Sequence, residues 1–216
     1  MIRYQIISTG SMGNAVVIED KILIDCGVPF RALEKVYRGL QLVLLTHIHG
    51  DHFNRACIRR LARERPLVRF GCGRWLVGSL IGCGVNAGRI DVFDFDHQYR
   101  YGFVTLEPVP LVHNVPNLGY KLSLPGIGRM IYATDTNNLN GIEAKGYDLY
   151  MIEANYCESE IKARMDEKKA AGEYAYEWQV VHNHLSREKA DDWIYRNIAP
   201  NGRYIYMHQH QEREGD

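Results

Sequence analysis

The sequence has no surplus of charge. Its 26 lysines and arginines balance 26 aspartates and glutamates. A global basic field for nucleic acid is thereby excluded, although a local patch is not. Cysteine is sparse and badly placed for cross-linking. Cys26, Cys57, Cys72, Cys83 and Cys157 are odd in number and form no Cys-x-x-Cys pair. That argues against a cysteine zinc site and a disulfide framework, and for reduced, mostly buried thiols in a cytoplasmic protein. No apolar run is long enough to span a bilayer, so no membrane partner is expected. The first residues, Met-Ile-Arg-Tyr-Gln-Ile-Ile, lack a signal-peptide pattern. Repeats, low-complexity tracts and linkers are also missing. With 46% hydrophobic residues in 216, one domain spanning 1–216 is expected, with room for a sizeable core.

Histidine, by contrast, is concentrated. The stretch Thr46-His47-Ile48-His49-Gly50-Asp51-His52 holds three imidazoles and a carboxylate within six residues. The aliphatic run Leu42-Val43-Leu44-Leu45 leads into it and reads as a buried strand. The histidines therefore fall where a strand gives way to a loop. Neutral imidazole and carboxylate are ligands that zinc, manganese and iron accept. In extended or turning backbone His47 and His49 point the same way by period two. Asp51 and His52 follow a glycine-assisted turn and can point to a second place. The spacing suits two adjacent metals rather than one, and it differs from the helical His-Glu-x-x-His pattern. The bland alternative is a set of surface-loop histidines.

Around this loop the chain reads as short strands and helices. Strands are expected at Tyr4–Ser8, Ala15–Glu19 and Ile22–Gly27, with a tight turn at Asp20-Lys21. The glycine turn Thr9–Asn14 is either a plain hairpin loop or a loop that approaches the metal site and offers N–H groups to a phosphate. A short helix over Pro29–Arg38 and another over Phe53–Glu64 flank the His loop. Arg55, Arg59 and Arg63 fall four apart on the second, with Arg60 and Arg65 beside them. That face is either solvated or a strip for a nucleic-acid backbone. Strands at Val68–Gly71 and Ile90–Phe95 flank a helix near Arg74–Ile81. Further strands run over Phe103–Val112, Leu118–Leu124, Arg129–Ala133, Leu149–Glu153 and Arg203–Met207, with helices at Glu158–Gly172 and Ser186–Asn197. Two mostly antiparallel sheets packed face to face, with helices outside, fit this order. Four of the later strands end in His113, Asp135, Glu153 and His208, which suggests one sheet edge with converging ligands.

The His-x-His-x-Asp-His pattern after an apolar strand resembles the metallo-β-lactamase fold superfamily. The resemblance implies an α/β (α+β) fold, a four-layer αββα sandwich holding two divalent metal ions, zinc or alternatively manganese or iron. Carried over residue by residue, His47, His49 and His113 would bind the first metal. Asp51, His52 and His208 would bind the second, with His210 an alternative to His208. Asp135 would bridge both. Two ions roughly 3.5–4 Å apart can hold a bridging hydroxide and lower its pKa, and Asp51 can orient it as well as ligate.

His184 discriminates between branches. The stretch from Asp135 to Tyr156, followed by His184-Leu185-Ser186, resembles ribonuclease Z-like nucleases. There a Glu orients a His that protonates the leaving oxygen or binds the scissile phosphate. Here those positions are Glu153 and His184. Phosphodiesters need such an acid because a sugar alkoxide is a poor leaving group. Within that branch the chain is similar to the YycJ-like family of bacterial and phage nucleases. The matching pieces are Gly10-Ser11-Met12-Gly13-Asn14, Asp25-Cys26-Gly27, Thr46–His52, Glu153-Ala154-Asn155 and His184-Leu185-Ser186. Asn183 stands where that family usually has Gly, and the chain is shorter than most members. The tRNA-gripping arm of tRNA 3′-processing enzymes has no counterpart. The resemblance implies a phosphodiesterase, an exonuclease on DNA or RNA, with nucleic acid as substrate. The alternative is a hydrolase of a small ester, thioester or lactone, which the neutral charge favours. A flavin-coupled oxygen reductase or a binding protein ranks below both, because no flavin domain is present and no ligand position is lost.

Overall fold

The structure is a computed structural model, which describes residues 1–209. It divides into two compact units, residues 1–108 and 109–216.

In the first unit six strands form one sheet: β1 (Tyr4–Ser8), β2 (Ala15–Ile18), β3 (Ile22–Ile24), β4 (Leu42–Leu45), β5 (Arg69–Gly73) and β6 (Ile90–Phe93), in that order. The pairs β1/β2 and β2/β3 are antiparallel. The rest, β3/β4, β4/β5 and β5/β6, are parallel. Parallel neighbours need crossovers. Helix α1 (Arg55–Glu64) supplies one between β4 and β5, and α2 (Val77–Gly82) supplies one between β5 and β6. All four residues of β4 are buried, which explains its unbroken aliphatic sequence. Asn54 caps α1 by accepting from the Cys57 amide at 3.0 Å. Cys57, Ile58 and Leu61 give α1 its buried stripe, packed in one cluster with Val17, Leu23, Val43, Leu45 and Phe70. Each fully buried aliphatic side chain contributes about 1.5–3 kcal/mol. A short strand β7 (Tyr99–Tyr101) pairs antiparallel with the start of β8 (Val104–Leu111).

In the second unit the order is β12-β11-β10-β9, followed by the end of β8. The strands are β9 (Asn117–Leu124), β10 (Gly128–Ala133), β11 (Leu149–Glu153) and β12 (Arg203–Met207). The β9/β10 pair is an antiparallel hairpin, whereas β10/β11 and β11/β12 are parallel. One long crossover joins β11 to β12 and carries α3 (Glu158–Ala171), α4 (Glu177–Asn183) and α5 (Arg187–Asn197). Ile131, Ala133, Tyr150 and Ile152 pack on Leu185, Ala190 and Ile194. The Tyr150 hydroxyl sits on the carbonyls of Ala144 (2.6 Å) and Asn197 (2.8 Å).

Three expectations need correction. The sheets are mixed, not mostly antiparallel, because helical crossovers return the chain in the same direction. The segment Pro29–Arg38 holds only a 3₁₀ turn over Phe30–Leu33, held by three-residue bonds such as Ala32 N–H to Pro29 O at 2.9 Å. The β2–β3 turn centres on Glu19-Asp20, both at positive φ (50° and 56°), so Lys21 already donates back to Ile18. Helix α4 and strand β7 are short and carry no clear period, and the sequence does not announce them.

Candidate metal centre

In the first unit the site begins at the ends of two parallel strands. Register pairs Ile24 with Leu44, so β3 and β4 finish side by side. Beyond them Asp25 turns into the left-handed region at φ 59°. Its buried carboxylate accepts from the Thr46 amide and hydroxyl, both at 2.9 Å, and lies 2.7 Å from His52 Nδ1. An acceptor on Nδ1 fixes that proton and leaves Nε2 with the lone pair a metal needs. Asn14 Nδ2 lies 2.8 Å from that Nε2 and 3.4 Å from Asp51 Oδ2. Thr46 Oγ lies 2.9 Å from His47 Nδ1.

His47 Nε2 and His49 Nδ1 converge to 3.1 Å. Two nitrogens take up such a spacing across one shared proton or around one ion, where bonds of about 2.0–2.1 Å place tetrahedral ligands about 3.4 Å apart. The donor types and their convergence therefore fit a divalent metal. Asp51 is a quarter exposed, with Oδ2 3.6 Å from His52 Nε2.

The glycine turn is built around Asn14, whose side chain bridges the Gly10 amide and carbonyl (2.9 and 3.1 Å) and whose amide reaches the Asp51 carbonyl at 2.6 Å. The turn therefore does approach the His loop. Gly27 must be glycine because a β-carbon there would collide with the Asp51 carbonyl. Asp25 and Asn14 carry no assigned role in the sequence reading. The signal for Asp25 was present, since it ends a buried aliphatic strand just as Glu153 does.

In the second unit the same device recurs. Ala133 is in register with Ile152, and Glu153 with Met207, so parallel β10, β11 and β12 end at one edge. That edge gathers Asp135, Glu153 and His208. Asp135 and His208 both adopt positive φ, 58° and 51°. Such backbone costs about 1–3 kcal/mol in a non-glycine residue and is frequent at functional sites. Asn117 Nδ2 pins the turn by donating to the carbonyls of Thr134 (3.0 Å) and Asp135 (2.7 Å).

One ligand atom each from Asp135, Glu153, His184 and His208 lies within 4.8 Å of the others. His113 Nε2 and His208 Nε2 each stand 3.8 Å from Asp135 Oδ1. His113 Nδ1 lies 3.1 Å from the Asn183 carbonyl, which leaves its Nε2 toward Asp135. His184 stacks on His208 at 5.3 Å and meets His113 edge-on at 5.5 Å.

Glu153 is wholly buried and ties these parts together. Its Oε1 is 2.6 Å from His184 Nδ1 and 3.3 Å from His208 Nδ1. Its Oε2 accepts from the amides of Thr136 (2.8 Å) and Leu185 (3.2 Å). His210 lies outside the described residues.

Two of the buried thiols are held protonated. Cys26 is pushed well above the usual thiol range by its hydrogen bond with Cys57 and by burial. Burial raises Cys72 to about 12. On α1, Arg55, Arg59 and Arg63 are exposed. Arg65 is not part of that strip, because its guanidinium donates to the carbonyls of Tyr37 (3.1 Å) and Leu40 (2.9 Å). No helix among the described residues is long and apolar enough to cross a membrane.

Residues 20–208 match the family described as Beta-lactamase superfamily domain. Among solved structures, the metallo-beta-lactamase fold protein YhfI from Bacillus subtilis is similar at 16% identity and TM-score 0.74, covering 98% of this chain and 88% of that one. The short form of human tRNase Z is similar at 16% identity and TM-score 0.69, covering 98% and 93%. A diphosphatase from the PhnP family is similar at 15% identity and TM-score 0.64, covering 97% and 87%. Identities this low show the fold alone. A comparison with curated proteins found no match. The family match spans most of the chain, and the chain belongs to the β-lactamase superfamily, with the metallo-β-lactamase fold.

Proposed function

We propose that this chain is a dinuclear metal-dependent phosphodiesterase, an exonuclease on DNA or RNA. The observation that carries the proposal is the buried Glu153 carboxylate 2.6 Å from His184 Nδ1. With Nδ1–H held by Glu153, a protonated His184 presents Nε2–H to a departing alkoxide, the acid that a phosphodiester needs and an activated ester does not. The metal ligands follow the superfamily assignment: His47, His49 and His113 for one ion, Asp51, His52 and His208 for the other, and Asp135 for both. Bound divalent ions, zinc or alternatively manganese or iron, would ionise a water near neutral pH and offset charge growing on phosphoryl oxygens. Asp51 would orient the attacking water, and Asp25 would hold the His52 ring. Two of the similar structures are named as a tRNase and a diphosphatase, which supports a phosphoryl substrate. The exposed arginines of α1 offer a local basic strip on a chain of zero net charge. Hydrolysis of a small ester, thioester or lactone is the second possibility, favoured by that zero net charge, but it leaves the Glu153–His184 pair without a task.

The test is hydrolysis of 5′-phosphorylated single-stranded DNA and RNA by protein loaded with zinc, manganese or iron, beside Asp51→Ala. Mononucleotide release that vanishes in the variant is the expected result. No release with any metal, together with turnover of a thioester or lactone, would overturn it.

A further inference from the structure

A groove of about 340 Å³ opens between α5 and the loop that follows β10. It sits at the lower end of the range for small-ligand pockets, about 300–1,000 Å³. Its apolar lining is Leu139, Leu185 and the half-buried Trp193. Trp193 is rigid, since its Nε1 donates to the Ile142 carbonyl at 3.0 Å and Tyr150 backs its ring edge-on at 6.1 Å. The rim carries exposed Asn140 and Lys189 and the surface pair Arg196–Asp192 at 3.1 Å. Two cations against one carboxylate leave the rim net positive, and Lys189 makes no ion pair among the described residues. A flat indole, two leucines and a free ammonium select a ligand that is planar on one side and anionic on the other. The groove also abuts the chemistry. Leu185 follows His184 directly, and its amide is held by Glu153 Oε2 at 3.2 Å.

We propose that this groove holds one nucleobase of the substrate strand, stacked on Trp193, with that nucleotide's phosphate at Lys189 and the base edge at Asn140. The inference rests on the phosphodiesterase reading, because it names the substrate's contact beyond the scissile bond. A base–aromatic stack is sequence-tolerant, so the groove would accept any base in a single strand.

The experiment is binding, not turnover. Tryptophan emission of the full-length protein is titrated with a nucleoside 5′-monophosphate and, separately, with ribose 5-phosphate, with free tryptophan as the inner-filter control. The expected result is quenching by the nucleotide alone, lost in Trp193→Phe. Trp178, 57% exposed on α4, and half-buried Trp75 are the rival emitters, so Trp178→Phe and Trp75→Phe are run alongside and should retain the signal. Lys189→Glu, a surface change that leaves the groove floor intact, should raise the nucleotide Kd roughly tenfold, and Lys189→Arg should restore it. Equal response to ribose 5-phosphate, quenching that survives Trp193→Phe, or an unchanged Kd in Lys189→Glu would overturn the assignment. The two proposals fail separately. Base-dependent quenching in a protein that cleaves no phosphodiester would sink the nuclease reading alone. Cleavage without such quenching would sink the groove alone.

Discussion

Replacing Glu153 by glutamine isolates what the buried carboxylate does. The wild-type group is acceptor-only: it accepts from the Thr136 amide at 2.8 Å and the Leu185 amide at 3.2 Å, and lies 2.6 Å from His184 Nδ1 and 3.3 Å from His208 Nδ1, which Asn155 Nδ2 also approaches at 3.2 Å. Glutamine keeps the shape but brings an NH₂. The two backbone amides cannot rotate away, so the amide oxygen must stay with them. The NH₂ then faces both histidines and favours the tautomer with the proton on Nε2. His184 can no longer be held with Nδ1–H fixed. In catalytic triads the same carboxylate-to-amide exchange costs about 10⁴ in kcat by trapping the wrong tautomer. A loss of about 10²–10⁴ in oligonucleotide hydrolysis is therefore expected. The charge-assisted hydrogen bond lost is worth about 1.5–3 kcal/mol. Glu153→Ala is harsher, because it orphans two buried amides at about 1–3 kcal/mol each. At about 2–4 °C per kcal/mol for a chain of this size, Tm should fall by roughly 10 °C. The assays are steady-state hydrolysis, thermal unfolding, and imidazole nitrogen shifts, which report the tautomer directly. A Glu153→Gln protein with near-normal turnover and an unchanged His184 tautomer would refute the reasoning.

Asp25→Asn should leave the fold intact and weaken metal retention about 10–100-fold, the usual cost of losing a carboxylate behind a ligating histidine; competition with a chromogenic chelator measures it, and unchanged affinity would free His52 from Asp25. His184→Ala should slow a diester with an alkyl leaving group by about 10²–10⁴ and one with nitrophenolate far less, since nitrophenolate departs without a proton. Equal losses on both would remove His184 as the acid. Neutralising Arg55, Arg59 and Arg63 together should reduce the slope of log affinity against log salt by about 2, on the basis of roughly 0.7 per phosphate contact on single strands. An unchanged slope would return that helix face to being merely solvated.

The His loop, the buried strand before it and the start of α5 were legible because each is a local signal. Leu42–Leu45 is aliphatic without interruption, and Ser186 accepts from the Lys189 amide three residues on, whereas Asn54, read as part of its helix, is the cap that starts α1 one residue later. Asp135, Glu153 and His208 stood out as candidates too, since an ionisable residue ending an apolar run is visible without any knowledge of pairing, although Asp25 carries the same signal and was passed over. What local sequence does not carry is direction. Antiparallel neighbours put their last residues at opposite edges, whereas parallel neighbours put them side by side. Asp135, Glu153 and His208 meet because β10, β11 and β12 run parallel, and Asp25 meets Thr46 and His52 because β3 and β4 do. Residue types and their spacing thus determined which side chains are candidates for the chemistry. The tertiary structure alone decided which carboxylate stands behind which imidazole, because that depends on strand register and on helical crossovers joining residues far apart in the chain, which no local period encodes.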